Sequence, residues 1–132
     1  MPPGTSGAIS RLGFLASIAG ALLIGIVAAI LVQLDALLRE DGWQAVAVAY
    51  PLIAVAGGLV GSLVDSLLGA TVQGVYYCER CARPTESIRH RCGYPARRLR
   101  GWTWLNNDLV NLLASLVGGV VAVVVAQAAA LI

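Results

Sequence analysis

Gly57-Gly58-Leu59-Val60-Gly61-Ser62-Leu63-Val64-Asp65-Ser66-Leu67-Leu68-Gly69-Ala70-Thr71-Val72-Gln73 is an apolar stretch that carries one carboxylate. Its small and polar residues fall in register. At helical spacing Gly58, Ser62, Asp65, Gly69 and Gln73 share a face, with Gly57, Gly61 and Ser66 at its edges, and the leucines and valines lie away from it. An ionised carboxylate in bilayer hydrocarbon costs roughly 2.5–3.5 kcal/mol, so such a residue turns toward a partner helix, a cation or a wet cavity. The plain reading makes Asp65 an interhelical hydrogen bonder. The sharper one makes it part of a polar site at the membrane edge, the default for ionisable groups within spans.

Working outward, the 132 residues are 58% hydrophobic and 12% charged, with a mean hydropathy of +0.80. Three runs account for this. Residues 12–34 and 109–132 hold no charge, and 45–68 holds Asp65 alone. Each run exceeds the ~20 residues a helix needs to cross ~30 Å of hydrocarbon. The expected fold is therefore all-α: a polytopic transmembrane helical protein with about three spans and a long polar loop over 74–107. No soluble domain of useful size is left over.

The leader through Arg11 could pass for the start of a secretory signal, but the apolar run behind it is too long for a signal core. It reads as a Gly-rich entry to a retained helix, capped by Ser6 or Ser10. Ser17, Ala21, Gly25 and Ala29, spaced four apart in the first span, form a row that lets another helix approach closely. Pro51 lies one turn inside the second run, where a kink is tolerable if neighbours satisfy the freed carbonyl.

The 74–107 loop carries seven arginines against Glu79 and Glu86, a net +5, whereas the 35–43 link holds Arg39 against Asp35, Glu40 and Asp41. The positive-inside bias places the loop and the N-terminus in the cytoplasm, which for a prokaryote means the inner face of the plasma membrane. Tyr76, Tyr77, Trp102 and Trp104 flank the loop as an aromatic belt, and Trp43 marks the opposite interface. Nucleic acid is a poor partner for arginines held between two membrane anchors. Lipid or nucleotide phosphates suit them better.

Within the loop lie Cys78-x-x-Cys81 and His90-x-Cys92. Four such ligands in 15 residues suit a tetrahedral structural zinc site, with Cys78, Cys81, His90 and Cys92 as its donors. A disulfide and unmetallated thiols are the rival readings. Three cysteines is an odd count, and the expected face is reducing, which counts against the disulfide. With four protein donors no position stays open for catalysis.

The third run opens with Leu105-Asn106-Asn107-Asp108-Leu109-Val110-Asn111, where Asn107 or Asp108 is a natural N-cap. Asp108, Asn111, Ser115, Gly118 and Ala122 also share a face, polar at the loop end and small beyond it. Two helices thus bring carboxylates to one membrane edge, and Asp65 and Asp108, helped by Asn111, could hold Mg²⁺ between them. No Ser/His/Asp or Cys/His nucleophile is apparent, since the one histidine is better used with the thiols.

Taken together, four segments resemble one integral membrane family. These are Pro3-Gly-Thr-Ser-Gly7-Ala-Ile-Ser10, Gly61 to Gln73, Thr85-Glu86 with His90-Arg-Cys92-Gly93, and Leu105 to Asn111. The family includes phytyl-phosphate kinase of plants and cyanobacteria and the eukaryotic transmembrane protein nineteen, and the similarity follows its C-terminal half across nearly the whole chain. The family's usual P-G-T-N-G-G reads Pro3-Gly4-Thr5-Ser6-Gly7-Ala8 here, and the acidic motif of its N-terminal spans is missing.

The resemblance implies a partial version of a larger membrane domain that works with the missing half or another membrane chain. It implies a module of a nucleotide-dependent kinase acting on an isoprenoid phosphate, with Mg²⁺ and a nucleoside triphosphate. Asp65, Asp108 and Asn111 would then be catalytic, and Gly4, Thr5, Gly7, Arg97 and Arg98 would bind the nucleotide. The alternative is a non-catalytic membrane scaffold or transporter component with a zinc-stapled cytoplasmic docking loop.

Overall fold

The structure, a computed structural model, describes residues 7–130. In chain order it contains α1 (Arg11–Leu38), a 3-10 helix (Ala45–Ala49), α2 (Tyr50–Thr71), β1 (Val75–Cys78), β2 (Arg83–Thr85), β3 (Arg97–Arg100) and α3 (Asn107–Ala130). Three segments are long and apolar enough to cross a membrane: Arg11–Leu38, Ala45–Thr71 and Asn107–Ala129. Few residues of these segments are fully buried, which leaves much of their surface to lipid or to further helices.

The chain divides into two compact units. One comprises residues 9–63 and 115–132. Here Ser10 caps α1, its hydroxyl accepting from Gly13 N at 3.0 Å. The helix outlasts its apolar run by four residues, and Arg39 donates back to Asp35 at 2.9 Å. Both groups are exposed, so the pair adds little. Glu40, at φ 60, and Gly42, at φ 75, then turn the chain. The amide of Gln33 brackets the Gln44 backbone, donating to its carbonyl at 2.6 Å and accepting from its N–H at 3.2 Å. This holds the short link where water is scarce.

Pro51 lies one turn inside the second membrane segment. It is the second residue of α2, directly after the 3-10 segment, where its missing N–H costs nothing. The small row of α1 packs along α2. Ser17 Oγ meets Ser62 Oγ at 3.2 Å, a Cβ on Gly58 would sit 3.0 Å from Ala21 Cβ, and one on Gly25 would overlap the Pro51 Cα at 2.5 Å. Gly57 and Gly118 bring α2 and α3 together in the same way, each lying where a Cβ would strike the other's carbonyl at 2.6 and 2.8 Å. Packing of this kind replaces the hydrophobic drive that lipid removes.

The other unit comprises, among the described residues, 7–8 and 64–114. Its loop is not irregular: β2, β1 and β3 form a three-stranded antiparallel sheet in that order. Tyr76 stands opposite Thr85 and Arg98, and Cys78 opposite Arg83, so Tyr76 and Cys78 share a buried face. Tyr76 is thereby withdrawn from the expected aromatic belt, while Trp102 and Trp104 stay exposed and stack at 5.3 Å. The cap of α3 falls one residue earlier than expected, with Asn106 Oδ1 accepting from Leu109 N at 2.9 Å.

The close approach of Gly57 and Gly118 yields a direct test. Gly118→Ala is expected to lower resistance to SDS-induced unfolding by about 1–3 kcal/mol, the usual cost of overpacking. Gly119→Ala, whose added methyl meets nothing within 4 Å, leaves it unchanged or raises it.

Candidate metal centre and the polar cleft on the same strands

Two tight turns build the metal centre. The first follows β1: Cys78 ends the strand, fully buried, and Cys81 sits in the hairpin turn that Ala82 completes at φ 50. The second spans 90–94. His90 N donates to Tyr94 O at 3.0 Å, Gly93 N donates to His90 O at 2.8 Å, and Gly93 takes φ 79, which glycine adopts at no steric cost. A bridge between Arg89 and Pro95 closes its base. The Sγ atoms of Cys78, Cys81 and Cys92 and a ring nitrogen of His90 all lie within 4.8 Å of one another.

The spacing decides between the readings of the thiols. All three cysteines are free, and Cys78 Sγ lies 3.7 Å from Cys92 Sγ. A disulfide needs about 2.05 Å. Thiolates bound tetrahedrally at about 2.3 Å from a metal stand about 3.8 Å apart. His90 Nδ1 approaches Cys92 Sγ at 3.2 Å. This is a donor set that can hold a metal ion, with three sulphurs and one imidazole nitrogen.

The charges within the cluster are uneven. Hydrogen bonding to His90, then to the Tyr94 backbone, holds the Cys92 thiol down to about 6. Hydrogen bonding to Cys92, partial burial and the proximity of Cys78 push the Cys81 thiol up to about 11. The metal-free cluster thus carries one settled thiolate and one resisting thiol. A cation drives off the remaining protons, which is why thiolate sites bind metal more weakly as pH falls.

The same strands wall a polar cleft of about 450 Å³. Tyr76 comes from β1, and Glu86, Ser87 and Ile88 come from the segment between β2 and His90. Thr103, Leu105, Asn106, Asn107 and Asp108 come from the approach to α3 and its first turn. Gly74 N donates to Leu105 O at 2.9 Å and shuts one end. The lining holds two carboxylates and no basic residue. Asp108 is favoured there by the positive end of α3.

The candidate site residues separate accordingly. Asp108 lines the cleft, exposed. Asp65 is half-buried on α2 and Asn111 is exposed on α3, and neither is among the lining residues. Arg97 pairs with Glu79 at 3.5 Å, and Arg98 is exposed; both stand outside the cleft. Gly7, at φ 82, presses on Ala70 so closely that a Cβ would overlap its backbone nitrogen. Gly4 and Thr5 lie outside the described residues. Glu86 is the cleft carboxylate that sequence reasoning gave no role, and Tyr76, expected in the aromatic belt, lines the cleft instead. Glu86 stood in one of the family-like segments, but nothing in its spacing tied it to Asp108.

Arg100 also has an unforeseen place. Its guanidinium donates to the carbonyls of Gly69, at 3.1 Å, and Ala70. No basic residue occupies the last turn of α2 itself. A cation from β3 therefore supplies what the negative end of that helix lacks.

The chain belongs to the integral membrane protein family DUF92, which it matches over residues 1–119. It is 32% identical to Protein PGR of Arabidopsis thaliana over 117 residues, covering 86% of this chain and 38% of that protein. It is 33% identical over 122 residues to an uncharacterised membrane protein of Methanocaldococcus jannaschii, covering 92% of this chain and 34% of that one. The chain thus spans little more than a third of the length of these curated relatives. No solved structure matches it.

The turn geometry predicts metal-dependent order. Trypsin is expected to spare Arg89 and Arg91 in the metal-loaded protein and to cut there after chelation or in Cys81→Ser. A loop equally resistant with and without metal would show that the donors serve no such purpose.

Proposed function

We propose that the chain is the C-terminal membrane portion of a nucleotide-dependent kinase that phosphorylates an isoprenoid phosphate, working with further membrane helices. The observation that carries this reading is the cleft on which Glu86 and Asp108 converge at the loop end of α3. The segments that hold these two residues are also among those resembling the phytyl-phosphate kinase family. Carboxylate and amide oxygens suit a hard cation such as Mg²⁺, and thiols are absent from the lining. When bound, that ion would neutralise phosphate charge, much of the work in such transfers.

The chain's own part is positioning. Asp108 and Glu86 fix the polar end of the ligands beside the membrane surface. The exposed apolar faces of α1 and α3 offer an isoprenoid tail a path in lipid. Asp65, half-buried on α2 and outside the cleft lining, would add a third carboxylate to the same chemistry.

The Cys78, Cys81, His90 and Cys92 ion in this proposal is a structural zinc, since three sulphurs and one nitrogen complete a tetrahedron. The loop faces the cytoplasm of a prokaryotic cell. A non-catalytic scaffold with a zinc-stapled docking loop is the second reading, and the same donor set supports it.

The test is transfer of labelled phosphate from a nucleoside triphosphate to phytyl phosphate, in membranes holding this region with the remainder of a full-length family member. Asp108→Asn and Glu86→Gln are expected to lower turnover by about 10²-fold or more, the scale seen when a charge-stabilising group is lost. Asp65→Asn is expected to do the same while insertion is retained. Full turnover in Asp108→Asn would end the kinase reading and leave the scaffold.

A further inference from the structure

Two of the seven loop arginines are engaged within their own unit. Arg97 is paired with Glu79, and Arg100 is spent on the end of α2. Arg80, Arg83, Arg89, Arg91 and Arg98 are exposed, and among the described residues none of their side chains has an ion pair or hydrogen bond. The other acid of the loop, Glu86, lines the cleft, and the cleft holds no arginine. Five unmatched guanidinium groups therefore point outward from one small sheet and its turns.

The position of that sheet limits what they can meet. Its neck is stitched to the ends of both spans. Trp102 N donates to Val72 O at 2.9 Å, one residue past α2, and Gly74 N donates to Leu105 O, two residues before α3. Strands of three or four residues reach roughly 10–13 Å. Headgroup layers are several ångströms deep, and the Debye length at physiological salt is about 8 Å. The arginines thus stay within electrostatic range of the lipid surface. At the neck the stacked, exposed indoles of Trp102 and Trp104 form the amphipathic anchor that settles at headgroup depth.

We infer that the loop sheet is a lipid-binding collar, in which Arg80, Arg83, Arg89, Arg91 and Arg98 gather anionic phospholipid headgroups around the neck marked by Trp102 and Trp104. The phosphate of an anionic lipid lacks the neighbouring cation of a zwitterionic one, so it alone leaves net charge for these groups to neutralise. Each arginine contributes about a fivefold preference when close to the surface. This inference rests on the membrane-spanning helices and the loop geometry, and it stands whether or not the cleft carries out phosphoryl transfer.

The test places the full chain, with Trp43→Phe to silence the opposite interface, in nanodiscs of phosphatidylcholine with a minority of phosphatidylglycerol. Bromine is carried on the chains of one lipid or the other. Quenching of Trp102 and Trp104 is expected to be several-fold greater from brominated phosphatidylglycerol than its mole fraction predicts, and to fall to that fraction at high salt. Glutamine at all five positions removes the excess, while Arg39→Gln, on the other link, leaves it intact. If the fivefold variant does not insert, Arg89→Gln with Arg91→Gln carries the test, with a partial loss expected. Equal quenching by the two lipids in the parent overturns the inference, as does an excess that survives neutralisation. Displacement of the excess by a free nucleoside triphosphate also overturns it and assigns the arginines to a soluble phosphate ligand.

Discussion

A helix that ends at a membrane surface leaves carbonyls that neither lipid nor its own backbone can satisfy. At the end of α2 that burden falls on Gly69 and Ala70, and the guanidinium of Arg100 takes both. Much of the loop unit is arranged about this point. Gly7 presses on Ala70, and Gly101, at φ 78, lies against the Gln73 carbonyl where any side chain would collide. The backbone bond from Trp102 to Val72 runs alongside. β3 is consequently tied to the end of a span as well as to β1. The sheet is held against the end of α2 in part by the cation that β3 supplies to that terminus.

The parts of the fold legible in the sequence are those that a single strong force determines. Three charge-poor runs of span length could only be membrane helices, and they are found close to where they were expected. Four thiol and imidazole donors in so short a loop had few ways to lie apart, and they converge. The small row of Ser17, Ala21 and Gly25 was readable because lipid leaves packing as the main reason for such a row. Pro51 falls one turn inside the second membrane segment, as read, but the turn before it is 3-10. Hydropathy does not distinguish a 3-10 turn from the first turn of an α-helix.

The sheet was hidden for a different reason. Arg97-Arg98-Leu99-Arg100 has neither alternation nor β-branched residues, and β2 contains a proline. These strands are held by pairing to Val75–Cys78, by the turns at the metal donors and by Arg100, none of which leaves a periodic trace. The cleft was half legible. Asp108 stood out as a carboxylate at the head of a span, but Glu86 lines the same cleft only because β2 folds back beside β1. Asp65 drew attention by the cost of its charge in lipid. That cost argues for some polar surrounding and does not select which.

The loop unit buries little apolar surface: Tyr76, Cys78 and Leu105, with Val110 and Ala114 from the start of α3. So few side chains are a thin core for about 35 residues of loop, whose ordering costs roughly 1–2 kcal/mol of backbone entropy per residue. Paired strands alone do not make up that difference, since isolated hairpins are marginal in water. The Cys78, Cys81, His90 and Cys92 donors are placed where a metal would join the tips of two turns. Glu86 and Ile88 lie between those turns, with Ile88 O accepting from Ala96 N at 2.8 Å as the strut on one side. The cleft wall is therefore only as firm as the cluster beneath it. A metal that never touches a ligand in the cleft would still set where the Glu86 carboxylate stands.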